Sequence, residues 1–516
     1  MYLLPRRKIL QRQLYPQAFC SAQGKQGIMA KKYQQSNTEV AGMEKARQIL
    51  TALRKAGQDA FVVGGAVRDY LLGVVPQDID IATSAHTREI IATAQSMGWR
   101  TVETGVFFGV VVVVVDGDPY DVATFRTETD GADSHRPETV SFAVSLKDDL
   151  SRRDFSINAM AMDETGQIID YFAGQSDLRC GIIRTVGDPL LRFQEDSLRM
   201  FRAARFAATF DFSIDPATLA AIPPNLYRVR GLSVERVRSE IDKTLLGRFA
   251  PRGLRVLMEQ GLFNETCRVR DDSRQANIPI LPELAHLRGL LQNERFHRLD
   301  VWEHTLAMVA EIRPHPILRW AALLHDIAKG LPEVRCYNSH GELIEHRHEV
   351  TGAHIALEIA ARLRFPAYWR RSVPWLVRHH LRLPPAEREA CIRWLRRRAR
   401  EFKRTVDLQE AIEALLEIHR ADRLAGHRDP GMSGWERIAD MLRQILASVP
   451  FYPEQLAVTG EIIAGRLGKG RAVGEFQRTL LARIQTGELL NTPEDQLEAL
   501  NKRSARHQQK NHVYNQ

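Results

Sequence analysis

The sequence predicts an α+β fold, with a compact α/β unit towards the N-terminus and an almost wholly helical remainder. Three observations predict it. Short β-rich runs alternate with helical patterns between residues 61 and 172. From about residue 190 onward Leu, Ala and Arg recur at helical spacing. At 516 residues the chain has room for three or four structural units in place of one core.

The elements follow in order. Residues 1–38 hold seven Lys and Arg and no acidic side chain. They are expected to be a basic arm without fixed structure, although an organelle transit peptide would look similar and Met29 is an alternative start. Residues 45–57 form a helical pattern that leads into a strand at 61–63 ending on Gly64-Gly65. A helix over 66–72, a strand over 78–82 and a helix over 86–97 come next. The ten-residue apolar run 106–115 is too short to cross a bilayer and rich in valine, so it reads as a buried central strand. A further strand covers 119–125. Together 45–172 make a head, 173–275 a helical neck, 283–445 a histidine-rich helical body and 450–501 a helical tail. Residues 264–282 read as a polar linker, and 502–516 are expected to be disordered.

Composition bounds the function. A formal charge of +9 and a pI near 9.4 favour a polyanionic partner such as nucleic acid. The five cysteines are scattered and lack any C-x-x-C pairing, which argues for a reducing compartment and against a thiolate zinc site. The stretch from Gly64 to Asp80 carries the clearest chemistry. Two glycines at a strand-to-helix turn let backbone N–H groups approach a triphosphate, with Arg68 close behind. Asp78 and Asp80 are two apart, so on a strand both carboxylates share one face and suit Mg²⁺. Asp121 would join them if its strand lies beside theirs. The segment Arg152-Arg153-Asp154 through Asn158 brings two guanidinium forks, which match phosphate oxygens. In the helix read over 195–206, Asp196, Arg199, Arg202 and Arg205 recur every third residue. That spacing offsets successive members by about 60° and makes one polar stripe.

These motifs resemble those of the class II tRNA nucleotidyltransferases, the CCA-adding branch of the polymerase-β-like superfamily, whose close relatives are bacterial poly(A) polymerases. The resemblance runs from about residue 45 to about residue 500. It implies a polymerase-β-like nucleotidyltransferase head followed by neck, body and tail. It implies that Asp78 and Asp80 hold the catalytic Mg²⁺ with Asp121 as third carboxylate. Gly64, Gly65, Arg68, Arg152, Arg153, Asp154 and Asn158 would bind the nucleotide. Asp196 and Arg199 would pair with the incoming base, with Arg202 and Arg205 towards the triphosphate or supporting the template. A carboxylate accepts from the amino group of C or A, whereas G and U would oppose it with a carbonyl. The polar loop 126–140 is associated in such enzymes with A addition.

Eleven of the seventeen histidines fall between His286 and His380. The order His304, His325-Asp326, then His348-Glu349, His379-His380 and finally Asp422 resembles the HD superfamily of metal-dependent phosphohydrolases. The resemblance implies a divalent metal held by His304, His325, Asp326 and Asp422, with damaged RNA ends as candidate substrates. A basic helical segment at 393–404 could meet tRNA phosphates or be an ordinary solvated face. The expected activity is template-independent building or repair of the 3′-CCA of tRNA from CTP and ATP with release of pyrophosphate, in the cytoplasm and without a membrane partner. The alternatives are an A-adding enzyme or poly(A) polymerase, and an HD phosphohydrolase whose head only binds RNA.

Overall fold

The computed structural model describes residues 37–103, 109–127, 141–142, 145–269, 277–294, 297–426 and 432–514. It divides into two compact units, one of Met1–Arg199 with Phe212–Ile222 and one of Met200–Asp211 with Pro223–Gln516. The basic arm at 1–36, valine-run residues 106–108 and loop residues 128–140 lie outside the described residues.

In the first unit, α1 (Asn37–Lys55) leads into β1 (Ala60–Val63), whose four residues are all buried. Then come α2 (Gly65–Leu71), β2 (Asp80–Thr83), α3 (Thr87–Ser96), β3 (Arg100–Val102), β4 (Val110–Val115) and β5 (Asp118–Thr124). A two-stranded pair, β6 (Arg126–Thr127) and β7 (Ser141–Phe142), precedes α4 (Leu146–Ser151), β8 (Met160–Met162) and β9 (Ile168–Asp170). The main sheet has the order β3-β4-β5-β2-β1-β8-β9. Its one parallel pairing among the described residues is β2 with β5, in register at Asp80↔Asp121. Phe61, Val63, Ala82 and Phe125 form an apolar cluster with Leu146 and Leu150 of α4. Beyond the sheet lie α5 (Gly174–Cys180), β10 (Ile182–Ile183) paired in parallel with β11 (Ser213–Ile214), α6 (Pro189–Glu195) and α8 (Pro216–Ala220).

The valine strand departs from expectation. Val111, Val113 and Val115 are buried, but Val110, Val112 and Val114 are only half-buried, and the strand is second from the sheet edge. Helix α3 packs on β3, β4 and β5. Burial on alternate residues is what a sheet with one well-covered face produces, even where every residue is apolar.

The chain passes between units in α7 (Leu198–Phe210) and α9 (Ile222–Asn225). The second unit contains α10 (Val234–Leu246), α11 (Ala250–Glu259), the strand pair β12 (Thr266–Cys267) and β13 (Ile278–Pro279), α12 (Val301–Glu311) and α13 (Pro316–Leu324). A hairpin of β14 (Arg335–Tyr337) and β15 (Leu343–Glu345) leads to α14 (His348–Arg362), α15 (Ala367–His379), α16 (Arg388–Ala399), α17 (Thr405–Gly426) and α18 (Met432–Ser448). The stretch read as a linker at 264–282 thus holds two paired strands. Glycines permit tight packing here: a Cβ on Gly253 would lie 2.5 Å from the Ala204 carbonyl oxygen of α7. Arg319, 3% exposed, donates from Nε to the Ile312 carbonyl and from its guanidinium to the Leu245 carbonyl, so it satisfies orphan C-terminal carbonyls of two helices.

The tail helices α19 (Gly460–Leu467), α20 (Arg471–Gln485) and α21 (Pro493–Tyr514) close around Ile463, Phe476, Leu480 and Leu500. Helix α21 runs on to Tyr514, where the sequence reading expects a disordered end from residue 502. Good helix formers and the Lys502–Glu498 i,i+4 pair at 2.5 Å carry the helix through a segment without an apolar face. Among the described residues, no helix is long and apolar enough to cross a membrane.

Candidate active site and metal centre

The carboxylates of the first unit are placed by strand register. Val63, the last residue of β1, pairs with Asp80, and Asp80 pairs with Asp121. Gly64 follows directly, with φ 75°, a conformation that suits glycine. Asp80 shares a strand face with Ala82, a member of the cluster around α4. Asp78 precedes the strand, which begins at Asp80, so the shared-face argument from a two-residue spacing does not hold for it. It still lies close enough to matter electrostatically. Asp80 has its pKa raised, first by desolvation and then by Asp121 and Asp78, against the opposing pull of Arg153. Three carboxylates and one guanidinium therefore converge at the exposed mouth of the sheet. Hard oxygen donors crowded at mutual cost fit a divalent cation.

Arg152 and Arg153 follow α4 and share a buried anchor that sequence reasoning missed. Asp149, 1% exposed, accepts from Arg152 Nε at 3.1 Å on one oxygen and from Arg153 at 3.2 Å on the other. The spacing i,i+3 and i,i+4 on a helix was the available signal. Burial by itself would raise Asp149, but the two guanidinium groups outweigh it and hold the carboxyl below its usual range. Arg153 also packs against the glycine turn: a Cβ on Gly64 would lie 2.6 Å from its guanidinium nitrogen.

Asp149→Asn is expected to destabilise the protein by about 1–3 kcal/mol at pH 7, less than a fully buried pair because both arginines are partly solvated. A depressed carboxyl contributes its full stability above its unfolded pKa near about 4, and loses it as pH falls through the folded value. Urea unfolding of wild type and variant should therefore differ at pH 7 and converge in acid. A gap that persists in acid would contradict the ion-pair role.

Asp154 and Asn158, expected to touch nucleotide, are turned inward. Asp154 is 7% exposed and accepts from the Phe155 amide at 2.8 Å and from Asn158 Nδ2 at 3.0 Å. Asn158 Oδ1 accepts from Arg68 at 2.6 Å, and Arg68 also donates to Asp69 at 2.9 Å. The three residues form a brace beneath the glycine turn.

The helix bearing the polar stripe is broken at its start. α6 ends at Glu195 and α7 begins at Leu198, while Asp196 has extended φ/ψ and accepts from the Leu198 amide at 3.0 Å. An Asp side chain competes for backbone N–H groups, so it caps the helix where the every-third-residue count would run through it. Arg199 is 6% exposed and donates to Glu195 at 2.6 Å, to the Arg192 carbonyl at 3.1 Å and to the Arg152 carbonyl at 2.9 Å. That last bond ties it to the Arg152-Arg153 segment. Arg202 and Arg205 belong to the second unit, where Arg205 Nε lies 3.3 Å from the buried carboxylate of Glu240 and its guanidinium stacks on Phe206.

The histidine cluster lies wholly within the second unit. α12 supplies His304, the end of α13 supplies His325 and the following turn Asp326. His348 opens α14, His380 closes α15, and Asp422 comes from α17. His304 Nε2 is 2.9 Å from Asp422 Oδ1 and 3.2 Å from His325 Nε2, which is 3.1 Å from Asp326 Oδ2. Ligands about 2.1 Å from a common ion are separated by about 3.0–3.4 Å, so these edges fit one coordination shell. The four residues expected from the sequence are brought together. His348 and His380, part of the ordered histidine pattern but not assigned as ligands, join them at Asp326 Oδ1, at 3.2 Å and 3.7 Å.

Second-layer contacts orient the rings. His325, His348 and His380 each place Nδ1 against a backbone carbonyl, of Ala322, Glu345 and Val377. A carbonyl only accepts, so Nδ1 carries a proton in each ring and Nε2 is the atom turned towards the cluster. Burial pushes His380 down to about 3, so it stays neutral at physiological pH. Burial opposes ionisation of Asp326 too, but His325 and Lys329 hold it well below the usual carboxylate range. Gly426 lets α17 approach, because a Cβ there would lie 2.4 Å from the His304 ring. Two groups, His304–His325–Asp326 and Asp326–His348–His380, could each hold a metal ion.

Three family models match the chain. They describe a poly A polymerase head domain over residues 60–184, a probable RNA- and SrmB-binding site of polymerase A over 211–267, and an HD domain over 296–426. A CCA-adding enzyme of Limosilactobacillus fermentum is 46% identical over 223 residues, which cover 43% of this chain and 55% of that protein. Another, of Bacillus pumilus, is 44% identical over 267 residues, 49% of this chain and 66% of that protein. The chain thus spans little more than half the length of the first of these curated relatives. The solved Bacillus stearothermophilus CCA-adding enzyme in complex with CTP is 29% identical and superposes with a TM-score of 0.61, covering 91% of this chain and 99% of that one. The chain belongs to the CCA-adding enzyme and poly(A) polymerase family and carries an HD domain.

Proposed function

We propose that the protein adds nucleotides to the 3′ end of tRNA, building or repairing CCA from CTP and ATP with release of pyrophosphate. The observation that carries this reading is the in-register pair Asp80 and Asp121 on adjacent parallel strands, with Asp78 and Arg153 acting on the same carboxylate. Mg²⁺ held there by Asp78, Asp80 and Asp121 would supply charge neutralisation for the triphosphate. The two guanidinium groups anchored on Asp149 stand ready for phosphate oxygens, and the Gly64 turn leaves room for them. Asp196 and Arg199 are the candidate base readers, with Arg199 fixed by Glu195 and the Arg152 carbonyl. The named relatives support CCA addition over poly(A) synthesis. The scattered cysteines support a reducing, cytoplasmic setting.

The experiment offers tRNAs ending at the discriminator base, at C and at CC, with labelled CTP or ATP added singly. Incorporation that stops at CCA is the expected result. A addition onto CC alone would make it an A-adding enzyme, and long A tails on unrelated RNA would overturn the reading.

Asp196→Ala should relax discrimination against UTP and GTP. It should also cost about 1 kcal/mol of stability through the lost helix cap. Misincorporation in single-nucleotide assays checks the first effect and urea unfolding the second. Unchanged nucleotide preference with the stability loss present would leave Asp196 a cap and nothing more.

The histidine cluster favours a second activity in the same chain, hydrolysis of phosphate esters at RNA ends. It rests on the oriented Nε2 atoms around Asp326.

A further inference from the structure

We propose that Asp149 is a positioning residue for nucleotide addition: it fixes the Arg152 and Arg153 guanidinium groups for the triphosphate and, through the Arg152 carbonyl, ties them to the base reader Arg199. This rests on reading the first unit as a nucleotidyltransferase, and adds how base choice reaches the phosphates.

Both oxygens of Asp149 are occupied from several directions. Oδ1 accepts from Arg152 Nε at 3.1 Å, from Arg152 Nη2 at 2.9 Å and from the Arg126 amide at 3.2 Å. Oδ2 accepts from Arg153 Nη2 at 3.2 Å. Successive residues of a helical turn point about 100° apart, yet these two guanidinium groups meet on one anion. Their side chains are 21% and 19% exposed, so they are neither freely solvated nor sealed from a ligand.

The grip leaves part of each arginine over. Among the described residues, Arg152 Nη1 and Arg153 Nη1 have no acceptor, and Arg153 Nε is buried without one. Two cations on one anion also leave a surplus of positive charge. Arg153 is near enough to Asp80 to favour its ionised form, which puts that surplus beside the carboxylates. A triphosphate arriving there meets donors already oriented, so two long side chains need not be ordered at that moment.

One further bond reaches the base side. Arg199 Nη2 donates to the Arg152 carbonyl at 2.9 Å, across forty-seven positions of the chain. Asp149, Arg152 and Arg199 thus form a continuous link within the first unit. Base and triphosphate are covalently joined in a nucleotide. A protein that holds both contacts at one separation brings the α-phosphate into line only when the base pairs correctly. A misplacement of about 1 Å costs about 100-fold in rate, so this selection shows in kcat more than in binding.

The test compares the full-length wild type with Asp149→Asn, in which one acceptor remains and an amino group opposes the other guanidinium. The control is Asp177→Asn, which removes another buried carboxylate of the same unit, held by Arg184 and Ser156. Incorporation into tRNA gives kcat and KM for CTP and UTP, calorimetry follows binding of inorganic tripolyphosphate, and urea unfolding verifies that each variant is folded as assayed. Asp149→Asn should lower kcat for CTP by about 10- to 100-fold with KM unchanged or lower. It should raise UTP incorporation relative to CTP by at least about tenfold. Tripolyphosphate should bind it as tightly as wild type or more tightly, because two guanidinium groups lose their counter-charge. Asp177→Asn should lose stability and keep wild-type kinetics. Wild-type kcat in Asp149→Asn, or an unchanged UTP-to-CTP ratio, would overturn the proposal. Weakened tripolyphosphate binding, or the same kinetic defect in Asp177→Asn, would also overturn it by making Asp149 a part of the fold alone. A wild type that adds no nucleotide to any tRNA end would sink the nucleotidyltransferase reading, and this role for Asp149 with it.

Discussion

Asp80→Asn is expected to lower nucleotide incorporation by at least about 10³-fold while leaving the fold intact. Cation clamping of a transferring nucleotidyl group stabilises the transition state by several kcal/mol, and each 1.36 kcal/mol is tenfold in rate. The amide keeps the size of the side chain and discards the charge that would hold a cation opposite Asp121. Stability should move the other way. Asp80 has a raised pKa in the fold, so its ionised form is disfavoured there, and above its unfolded pKa that ionisation works against folding. Removing it should leave the melting temperature of the metal-free protein unchanged or higher, the usual trade at a site built for function. The wild-type rate should fall as pH drops through the raised value, where Asp80 takes up a proton and loses its hold on a cation. Single-turnover incorporation and thermal unfolding check both halves. A loss of less than about tenfold would remove Asp80 from the chemistry, and a marked drop in melting temperature would make it a structural residue.

Asp326→Asn should have the largest effect in the second unit, on metal content and on stability together. Both oxygens are engaged, so the variant is expected to lose bound transition metal and at least about 10³-fold of phosphate-ester hydrolysis. In the metal-free protein Asp326 and Lys329 are 1% and 6% exposed and lie 2.7 Å apart. Removing one partner of a buried pair leaves the other charge uncompensated and costs about 3–5 kcal/mol. The Asp326 carboxyl is held well below its ordinary value, so this contribution is complete above about pH 4 and fades as pH falls. Denaturant unfolding followed by fluorescence suits the measurement, since buried Trp320 lies in the same unit. Equal stability of variant and wild type at neutral pH would show that water in the cavity already compensates Lys329.

The residues that were legible in the sequence are those whose chemistry shows in local spacing. Gly64-Gly65 ends a β-rich run, and the structure places a positive φ at Gly64. His325-Asp326 stands out because two ligand types adjoin directly after an apolar helix. What local spacing misjudged was competition between a side chain and its own backbone. Asp196 has helical spacing to Arg199, but its carboxylate caps the Leu198 amide and breaks the helix. Asp78 has strand spacing to Asp80, yet the strand starts only at Asp80. In the tail the error ran the other way. Residues from Lys502 look solvated, and helix propensity with the Lys502–Glu498 pair carries them on to Tyr514.

By itself the sequence determined the class of chemistry: carboxylates beside a glycine turn, paired arginines, and histidines in the order a metal site needs. These are short-range patterns, set by periods of two and three or four residues. Only the tertiary structure decided which groups meet and which are buried against one another. Register across β2 and β5 set Asp121 against Asp80, forty-one positions away in the chain. Burial turned Asp154 and Asn158 into a brace, and helix packing gathered His348 and His380 onto Oδ1 of Asp326. The reason is physical: desolvation and through-space charge depend on distance in the fold, which spacing along the chain does not encode.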